Sequence, residues 1–261
     1  MFLALGLAGH VGRGFEWRLN ELQRVLVSTA DRSPMREDCH YVRNSTFDAQ
    51  TSCEYFGESA DVAIYGNSHG VELAYAVAEE LRRSNRSLFH FTISGCAVGF
   101  RQDIEKYCSV FYEDRLRFLH DNQRVRNVIL TFRAEHSGSE TARSLVELAN
   151  YLLENGKNVI VVLQAPTLEG DITPYLRQAF HSGKSNIRAR SVANWRELND
   201  HVYASLQDLN PGVKIFDLAD HFCESDLCYA IRDSQAMYYD DDHISVSGAR
   251  RVAADIVRLL E

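Results

Sequence analysis

One strand–turn–helix segment, residues 61–81, constrains the fold more than any other part of the chain. Asp61–Tyr65 is short and mostly apolar, which predicts a buried strand, and Val71–Leu81 has apolar residues at helical spacing. Ser68 therefore lies where a strand turns into a helix, and Gly66 lets that turn be tight because it has no Cβ. The segment predicts an α/β fold with Ser68 at the carboxyl edge of a parallel sheet, where such folds carry their sites.

Ser68 in this position has the surroundings that a nucleophilic serine requires. The unpaired N–H groups at the start of the following helix favour a developing negative charge. An ordinary N-cap role is the alternative, because serine is a common N-cap residue. A nucleophilic role therefore depends on a base and a carboxylate elsewhere in the chain.

The segment before the last predicted helix supplies such a pair. Asp240 and His243 lie three positions apart, just ahead of an amphipathic stretch over Gly248–Leu260. Histidine is the usual base near neutral pH, and a carboxylate fixes its tautomer and stabilises the imidazolium. We therefore expect Ser68 as nucleophile, His243 as base and Asp240 as the orienting acid. A helix cap or a solvated acidic loop over residues 240–242 is the alternative. A metal site is disfavoured because no further ligand cluster appears, so neither a metal nor a cofactor is expected.

The remaining sequence alternates between strands and helices. Strands are predicted over Asp61–Tyr65, Ser87–Ile93, Val125–Phe132, Lys157–Gln164 and Gly212–Leu218. Helices are predicted over Phe15–Thr29, Val71–Leu81, Val110–Gln123, Ser139–Glu154, Asn186–Leu209 and Gly248–Leu260. This order predicts a three-layer α/β/α sandwich around a five-stranded parallel sheet. Residues 167–184 are expected to be irregular and to form a wall or lid over the site.

Several blocks of this sequence resemble the SGNH hydrolase superfamily. The first and last of its blocks are matched by Gly66-Asn67-Ser68-His69 and Asp240-x-x-His243. More narrowly, the chain resembles the SGNH domain fused to membrane acyltransferase-3 proteins, which O-acetylate cell-surface polysaccharides. Three further blocks carry this narrower resemblance: Ile93-Ser94-Gly95-Cys96, Phe222-Cys223-x4-Cys228 and Tyr238–Ser245. The resemblance covers residues 55–261 and implies a flavodoxin-like sheet.

The resemblance also assigns an oxyanion site, with two departures from the family pattern. It implies that backbone N–H groups of Ser68 and Gly95 bind the oxyanion. Asn67 stands where the family usually has aspartate, and the separate Gly-x-Asn-Asp block is missing. Its place reads Thr-Phe-Arg-Ala-Glu, so Arg133 is expected to substitute electrostatically. Arg133 and Asn67 are thus expected to support the substrate or the oxyanion, with a salt bridge from Arg133 to a carboxylate such as Glu135 as the alternative.

The six cysteines form three pairs of sequence neighbours. Among the many possible connectivities, we expect disulfides within these pairs: Cys39 with Cys53, Cys96 with Cys108, and Cys223 with Cys228. Reduced or metal-bound thiols are the alternative, and the lack of a C-x2-C pair disfavours metal. Disulfides suit an oxidising compartment, here the periplasm or the cell exterior.

The start of the chain predicts a membrane junction. Met1–Gly9 is apolar, but a bilayer span needs about 20 such residues, and the charged start of a signal peptide is missing. We expect residues 1–14 to be the end of a membrane helix or the remnant of a truncated gene, with a disordered start as the alternative. Residues 1–54 are accordingly predicted as membrane-junction remnant, helix and linker, and residues 55–261 as the SGNH domain.

Charge and resemblance together define the expected function. The net charge is −8 without a basic run, which disfavours nucleic-acid binding and docking on anionic lipid. The resemblance implies an O-acyltransferase, for acetyl groups, acting on cell-envelope polysaccharide through an acyl-serine intermediate. A carbohydrate or lipid acetyl esterase is the alternative, and a non-catalytic glycan-binding module is a further one. The expected partners are a polysaccharide or other acylated glycan and a membrane acyltransferase domain in cis or in trans.

Overall fold

The main sheet of the protein has seven strands in the part of the chain that the computed structural model describes, residues 19–43, 53–100, 104–133 and 138–261. Its strands are β1 (His40–Tyr41), β2 (Glu54–Tyr55), β3 (Val62–Asn67), β4 (Leu88–Ile93), β5 (Asn127–Thr131), β6 (Asn158–Leu163) and β8 (Lys214–Asp217). The strand order is β1-β4-β3-β5-β6-β8, with β2 also paired to β4. All these pairings are parallel except that of β2 with β4, which is antiparallel.

The predicted parallel sheet is confirmed, but its predicted size of five strands is wrong. The five predicted strands form its centre as β4-β3-β5-β6-β8, and β1 and β2 add to the edge beyond β4. Each added strand has two residues, which is too short for a periodic pattern to show in the sequence. Both lie in a polar stretch and owe their conformation to pairing with β4.

Helices cover both faces of the main sheet. The helices of the described residues are α1 (Glu21–Thr29), α2 (Arg36–Cys39), α3 (Val71–Arg82), α4 (Lys106–Asp121), α5 (Gly138–Glu154), α6 (Thr173–Ser182), α7 (Val192–Leu198), α8 (Asp200–Ser205), α9 (Ala219–Phe222) and α10 (Val246–Arg258). Successive residues of a strand face opposite sides, so β3 contributes Ile64 to one apolar core and Tyr65 to the other. The first core includes α3 and α10, and the second includes α4, α5 and α8. This is the expected three-layer α/β/α sandwich.

A second, antiparallel sheet was not expected from the sequence. It consists of β7 (Ile187–Ser191), β9 (Cys223–Glu224), β10 (Leu227–Arg232) and β11 (Gln235–Ala236), in the order β11-β10-β7 with β9 beside β10. The predicted long helix over residues 186–209 is therefore wrong. Its first part pairs as β7 with β10, and Ser191 then caps α7 by accepting a hydrogen bond from the Asn194 backbone N–H. Tertiary pairing outweighs the weak helical pattern of this polar segment.

The segment over residues 167–184 is more regular than predicted. It contains α6, which ends at Gly183 in the left-handed conformation, with φ 69°. Leu168 at its start donates a backbone hydrogen bond of 2.8 Å to the Asp241 carbonyl. The segment therefore lies beside the loop that carries His243.

The N-terminal helix begins later than predicted. Asn20 accepts a hydrogen bond from the Gln23 backbone N–H, and the Gln23 side chain accepts one from the Asn20 N–H, so this capping box starts α1 at Glu21. Residues 1–18 lie outside the described residues, as does the predicted membrane junction within them. Within the described ranges, no helix is both long and apolar enough to cross a bilayer. The predicted domain boundary at residue 54 stays a prediction.

The three predicted disulfides are confirmed. Cys39 bonds Cys53, Cys96 bonds Cys108, and Cys223 bonds Cys228. The second bridge ties the loop after β4 to α4, and the third joins β9 to β10. The loop after β4 and the turn between β9 and β10 are therefore each crosslinked by a disulfide that the sequence predicted.

Candidate active site

The turn that carries Ser68 is packed tightly against β5. Ser68–Gly70 forms a single 3₁₀ turn between β3 and α3. A Cβ at Gly66 would lie 1.9 Å from the Thr131 carbonyl oxygen, and one at Gly70 would lie 2.8 Å from the Thr131 side chain. Only glycine allows this approach at either position, so the two glycines fix where Ser68 leaves the sheet.

Asn67 connects this turn to the loops that follow both neighbouring strands. Its side-chain oxygen accepts hydrogen bonds from the backbone N–H groups of His69 and Arg133, at 3.2 and 3.3 Å. Its amide nitrogen donates to the Cys96 carbonyl at 3.3 Å. These contacts give Asn67 a positioning role in the turn. Its predicted support of the oxyanion or the substrate stays a prediction.

Ser68, His243 and Asp240 form a continuous hydrogen-bonded chain. The Ser68 Oγ lies 2.8 Å from His243 Nε2, and His243 Nδ1 lies 2.9 Å from Asp240 Oδ2. The two ring nitrogens thus face a hydroxyl and a carboxylate, as general-base activation of a serine requires. The structure brings together the three residues that the sequence pattern selected, across 175 positions of the chain.

Asp240 also shapes the loop that presents the base. Its Oδ1 accepts the backbone N–H of His243 at 2.7 Å and that of Asp242 at 3.1 Å. The loop closes with a bridge between Tyr238 and Ile244. Ser245 then caps α10 by accepting from the Gly248 N–H at 2.9 Å. One carboxylate therefore sets both the backbone and the ring of His243.

A second carboxylate, missed by the sequence reasoning, contacts the same imidazole nitrogen. Asp242 Oδ1 lies 2.7 Å from His243 Nδ1, and Asp242 Oδ2 lies 3.1 Å from Arg133 Nη2. His69 Nε2 is 3.7 Å from that same Oδ2. The only signal in the sequence was the run of three aspartates, which does not tell which member is buried.

These contacts shift the pKa of His243 upward. Burial lowers it, but the hydrogen bonds and charges of Asp240 and Asp242 outweigh burial and raise the pKa to about 9. Burial acts to raise the pKa of Asp242, whereas its contacts with His243, His69 and Arg133 lower it to about 2. In the resting site, His243 is therefore a cation at neutral pH and must lose a proton before it accepts one from Ser68.

Aromatic rings hold the plane of the imidazole. The His69 ring stacks on His243 at a centroid distance of 4.4 Å, and the Tyr239 ring does so at 5.4 Å. The guanidinium groups of Arg32 and Arg36 lie over Tyr239, at 4.9 and 5.3 Å from its centroid. Burial lowers the pKa of His69 to about 3, so that this ring is neutral and does not compete as a base.

An ion pair fastens the N-terminal segment behind the nucleophile. Glu72 of α3 is fully buried, and its carboxylate accepts from Arg36 at 2.7 and 3.0 Å and from the Ser33 N–H at 3.1 Å. Arg36 also donates to the Ser68 carbonyl at 3.3 Å. The backbone of Ser68 is therefore held from outside the strand–turn–helix segment.

Gly95 and Arg133 lie at the same edge of the sheet as Ser68. Gly95 follows β4 with φ 69°, a conformation that favours glycine, and its loop carries the Cys96–Cys108 bridge. Arg133 follows β5, is 45% exposed, and pairs with Asp242. Glu135, the alternative partner, lies outside the described residues. The oxyanion role of the N–H groups of Ser68 and Gly95, and the electrostatic role of Arg133, stay predictions.

Two overlapping groups in the described part of the chain have the residue types and spacing of a metal site. One comprises His69, Asp242 and His243, and the other comprises residues 240–242. In the first group, His243 Nδ1 and both Asp242 oxygens already form ion pairs within the site. A cation there would compete with the contacts that orient His243.

Comparisons with known proteins agree with this fold. The family model of the SGNH domain fused to AT3 domains matches residues 38–258. The periplasmic domain of a lipopolysaccharide acetyltransferase from Salmonella ser. Paratyphi A is similar, with a TM-score of 0.61 and 12% identity, over 85% of this chain and 91% of that chain. This similarity shows a shared fold. No curated protein sequence matches the chain.

Two further solved structures have lower scores. A carbohydrate acetylesterase family member from Sinorhizobium meliloti has a TM-score of 0.46 and 14% identity, over 77% of this chain and 98% of that chain. The C-terminal catalytic domain of a peptidoglycan O-acetyltransferase from Streptococcus pneumoniae has a TM-score of 0.38 and 13% identity, over 77% and 92%.

Proposed function

The chain belongs to the family of SGNH domains fused to AT3 domains, and we propose that it is a serine-dependent O-acyltransferase that places acetyl groups on a cell-envelope polysaccharide. The observation that carries this proposal is the unbroken chain from the Ser68 hydroxyl through His243 to Asp240, at 2.8 and 2.9 Å. These are the contacts that a serine needs to form an acyl intermediate.

The first half of the reaction acylates Ser68. The Ser68 Oγ bonds the acyl carbonyl carbon, its proton moves to neutral His243 Nε2, and the carbonyl electron pair moves onto the carbonyl oxygen. When this oxyanion collapses, the bond to the donor's leaving group breaks, and the leaving group takes the proton from Nε2. The proton on Nδ1 stays between the ring and its carboxylates throughout.

The second half repeats these steps with the acceptor. A sugar hydroxyl gives its proton to His243 Nε2, attacks the acyl carbon, and releases the Ser68 oxygen, which recovers the proton. Water in place of the sugar gives hydrolysis, so the triad alone serves a transferase and an esterase equally. Transfer needs the acceptor held close, where effective molarities of about 10⁵ M are attainable.

The oxyanion requires donors that the Ser68 turn and the Gly95 loop supply in this proposal. One such donor typically contributes about 3 kcal/mol to lowering the barrier. The left-handed backbone at Gly95 and the bridge behind it support a rigid loop at this position. In this proposal Arg133, which is half-exposed at the same edge, adds positive charge.

The surroundings of the triad support transfer and an extracytoplasmic location. In the family, the domain is fused to an AT3 domain, which we propose as the source of the acyl group, in cis or in trans. Three disulfides suit an oxidising compartment such as the periplasm. The segment around α6 lies against the His243 loop and is our proposed wall for the glycan acceptor.

The proposal is tested first with a chromogenic acetate ester. We expect Ser68→Ala to lower kcat/KM by about 10³-fold or more while the melting temperature stays close to that of wild type. Ser84→Ala, an exposed serine at the other end of α3, is the matched control and should keep full activity. Full activity in Ser68→Ala would end the catalytic proposal, and glycan binding without turnover in wild type would favour the non-catalytic module.

A second assay separates transfer from hydrolysis. The protein is given an acetyl donor and envelope polysaccharide, with and without the membrane acyltransferase domain, and acetylated glycan and free acetate are both measured. We expect acetylated glycan that depends on Ser68. Free acetate alone, even with the membrane domain present, would identify an esterase.

A further inference from the structure

We propose that Asp242, held by Arg133, is a second orienting carboxylate for His243, and that this pair sets the pH range in which the base works. The inference rests on the proposed function, because it assigns roles around the same base. It differs from the sequence-derived triad, which gives Asp240 alone this role. The two residues are positioning residues, since neither touches the reacting atoms.

The geometry favours a shared N–H. His243 Nδ1 carries one proton and lies 2.9 Å from Asp240 and 2.7 Å from Asp242. Asp240 uses its other oxygen for two backbone N–H groups of the loop. Asp242 uses its other oxygen for Arg133, at 3.1 Å. Each carboxylate therefore has one oxygen for the imidazole and one for its own support.

Burial gives Asp242 the stronger electrostatic effect on the ring. The Asp242 side chain is 8% exposed, whereas that of Asp240 is 26% exposed. Less solvent around a charge means less screening, so at a similar distance the buried carboxylate interacts more strongly with the imidazolium. Asp240 thus shapes the loop as well as contacting the ring, and Asp242 supplies the more buried of the two charges.

Arg133 opposes this charge. Its guanidinium neutralises part of the negative field of Asp242, which would otherwise act on His243 alone. Removing Arg133 should therefore make the imidazolium more stable, and removing the charge of Asp242 should make it less stable. The two substitutions shift the titration of His243 in opposite directions, which a purely structural role for either residue does not predict.

Other charged and titratable groups around His243 do not produce this pattern. Its own loop contributes Asp240 and Tyr239, the Ser68 turn contributes His69, and the N-terminal segment contributes Arg36 and His40. Burial lowers the pKa of both His69 and His40 to about 3, so these rings stay neutral between pH 5 and 10. Arg36 is neutralised by buried Glu72.

The test measures the pKa of His243 directly, by NMR of histidine-labelled protein, and the pH profile of kcat/KM for an acetate ester. We expect Asp242→Asn to move both to lower pH by about one unit or more, and Arg133→Gln to move both to higher pH. Asp241→Asn is the matched control, because this exposed neighbour in the same loop makes none of these side-chain contacts. Its carboxylate lies within 4.8 Å of those of Asp240 and Asp242 but in solvent, so Asp241→Asn should lower both values by clearly less than Asp242→Asn does.

The double variant tests whether Arg133 acts through Asp242. If it does, Arg133→Gln should move the His243 titration clearly less in the Asp242→Asn background than in wild type. An unchanged His243 titration in Asp242→Asn, or a shift to lower pH in Arg133→Gln, overturns the inference. If Asp242→Asn does not fold, Arg133→Gln still tests the inference, because the His243 pKa in this variant must rise and not fall.

Failure of the proposed function would look different. If wild type and Ser68→Ala both lack turnover, the catalytic proposal fails, while the NMR titration still reports on Asp242 and Arg133. If turnover depends on Ser68 but no variant shifts the His243 titration, the proposed function is supported and the role of Asp242 as a second orienting carboxylate is rejected.

Discussion

The surroundings of His243 stabilise its protonated form, although the imidazole must be neutral to act as a base. Two carboxylates stabilise the imidazolium and raise the pKa of His243 to about 9, and only the neutral ring can take the Ser68 proton. Strong orientation and ready deprotonation therefore oppose each other at one residue. Arg133 lessens this conflict, because its guanidinium offsets part of the negative charge of Asp242.

This conflict makes a prediction for the pH dependence of the wild-type enzyme. Because His243 is protonated below its pKa, kcat/KM for an acetate ester should rise with pH and level off near pH 9. Each unit below that pKa should cost about tenfold in rate. Rates across pH 6 to 10 with an uncharged ester test this. A profile that is already flat from pH 7 would contradict the raised pKa.

Single residues could be chosen from the sequence where a motif names them, but not where burial decides. Ser68, Asp240 and His243 stand in recognisable blocks, and the structure places them in hydrogen-bond contact. Asp242 differs from Asp241 by being buried on the inner side of the loop, next to Arg133, which follows β5. No local pattern encodes that difference.

Among the elements, the strands of the sheet centre were predictable because they are buried on both faces. Continuous apolar runs such as Val159–Leu163 leave few other interpretations. β7 was not predictable, because it is a five-residue strand in which only Ile187 is fully buried, and its partner β10 is distant in sequence. The candidate site depends on the first kind of element, so the sequence predicts where its residues lie along the sheet edge.

The loop after β4 depends on a covalent brace, and this makes a prediction at the level of elements. The Cys96 carbonyl accepts a hydrogen bond from the Asn67 side-chain amide. This contact links the Cys96–Cys108 bridge and the Gly95 loop to the Ser68 turn. We expect replacement of both Cys96 and Cys108 by alanine to lower kcat more than the loss of stability explains. Turnover is measured well below the melting temperature of the variant.

A second bridge provides the control for that experiment. Cys223 and Cys228 join β9 to β10 in the antiparallel sheet. Their replacement by alanine should reduce stability with little change in kcat. Equal losses of kcat in both double variants would mean that the bridge at Cys96 has no particular link to the site.

A buried ion pair is one of the contacts that fasten the N-terminal segment to the α/β domain. Arg36 and Glu72 have side chains that are both largely inaccessible, and no other cation contacts Glu72 in the described part of the chain. Arg36→Ala leaves that carboxylate buried without its partner, so we expect about 3 kcal/mol of lost stability, measured by urea unfolding. Arg83→Ala at an exposed ion pair should cost less than about 1 kcal/mol. Similar values for the two variants would contradict the anchoring role of Arg36.

At the scale of the whole molecule, stability and activity should have different pH optima. Burial lowers the pKa of His40, His69 and His90 to about 3. Between pH 6.5 and 3 these histidines are protonated in the unfolded chain but not in the folded protein. The free energy of unfolding should therefore fall as the pH drops from 6.5 towards 3. His243, with its raised pKa, contributes stability that is complete below pH 6.5 and lost as pH rises through 9.

The last prediction follows from that asymmetry: unfolding free energy should be highest near pH 6.5, where the rate of the enzyme is still well below its maximum. Urea unfolding from pH 4 to 9 measures the curve. His90→Gln should flatten the acid side by about 1.4 kcal/mol per pH unit, because one buried histidine no longer titrates in the unfolded chain. Tyr55→Phe is the control, since it removes the hydrogen bond between the Tyr55 hydroxyl and His90 Nδ1 and leaves every histidine in place. It should lower stability at each pH without flattening the acid side, and an unchanged slope in His90→Gln would show that buried histidines do not cause the acid lability.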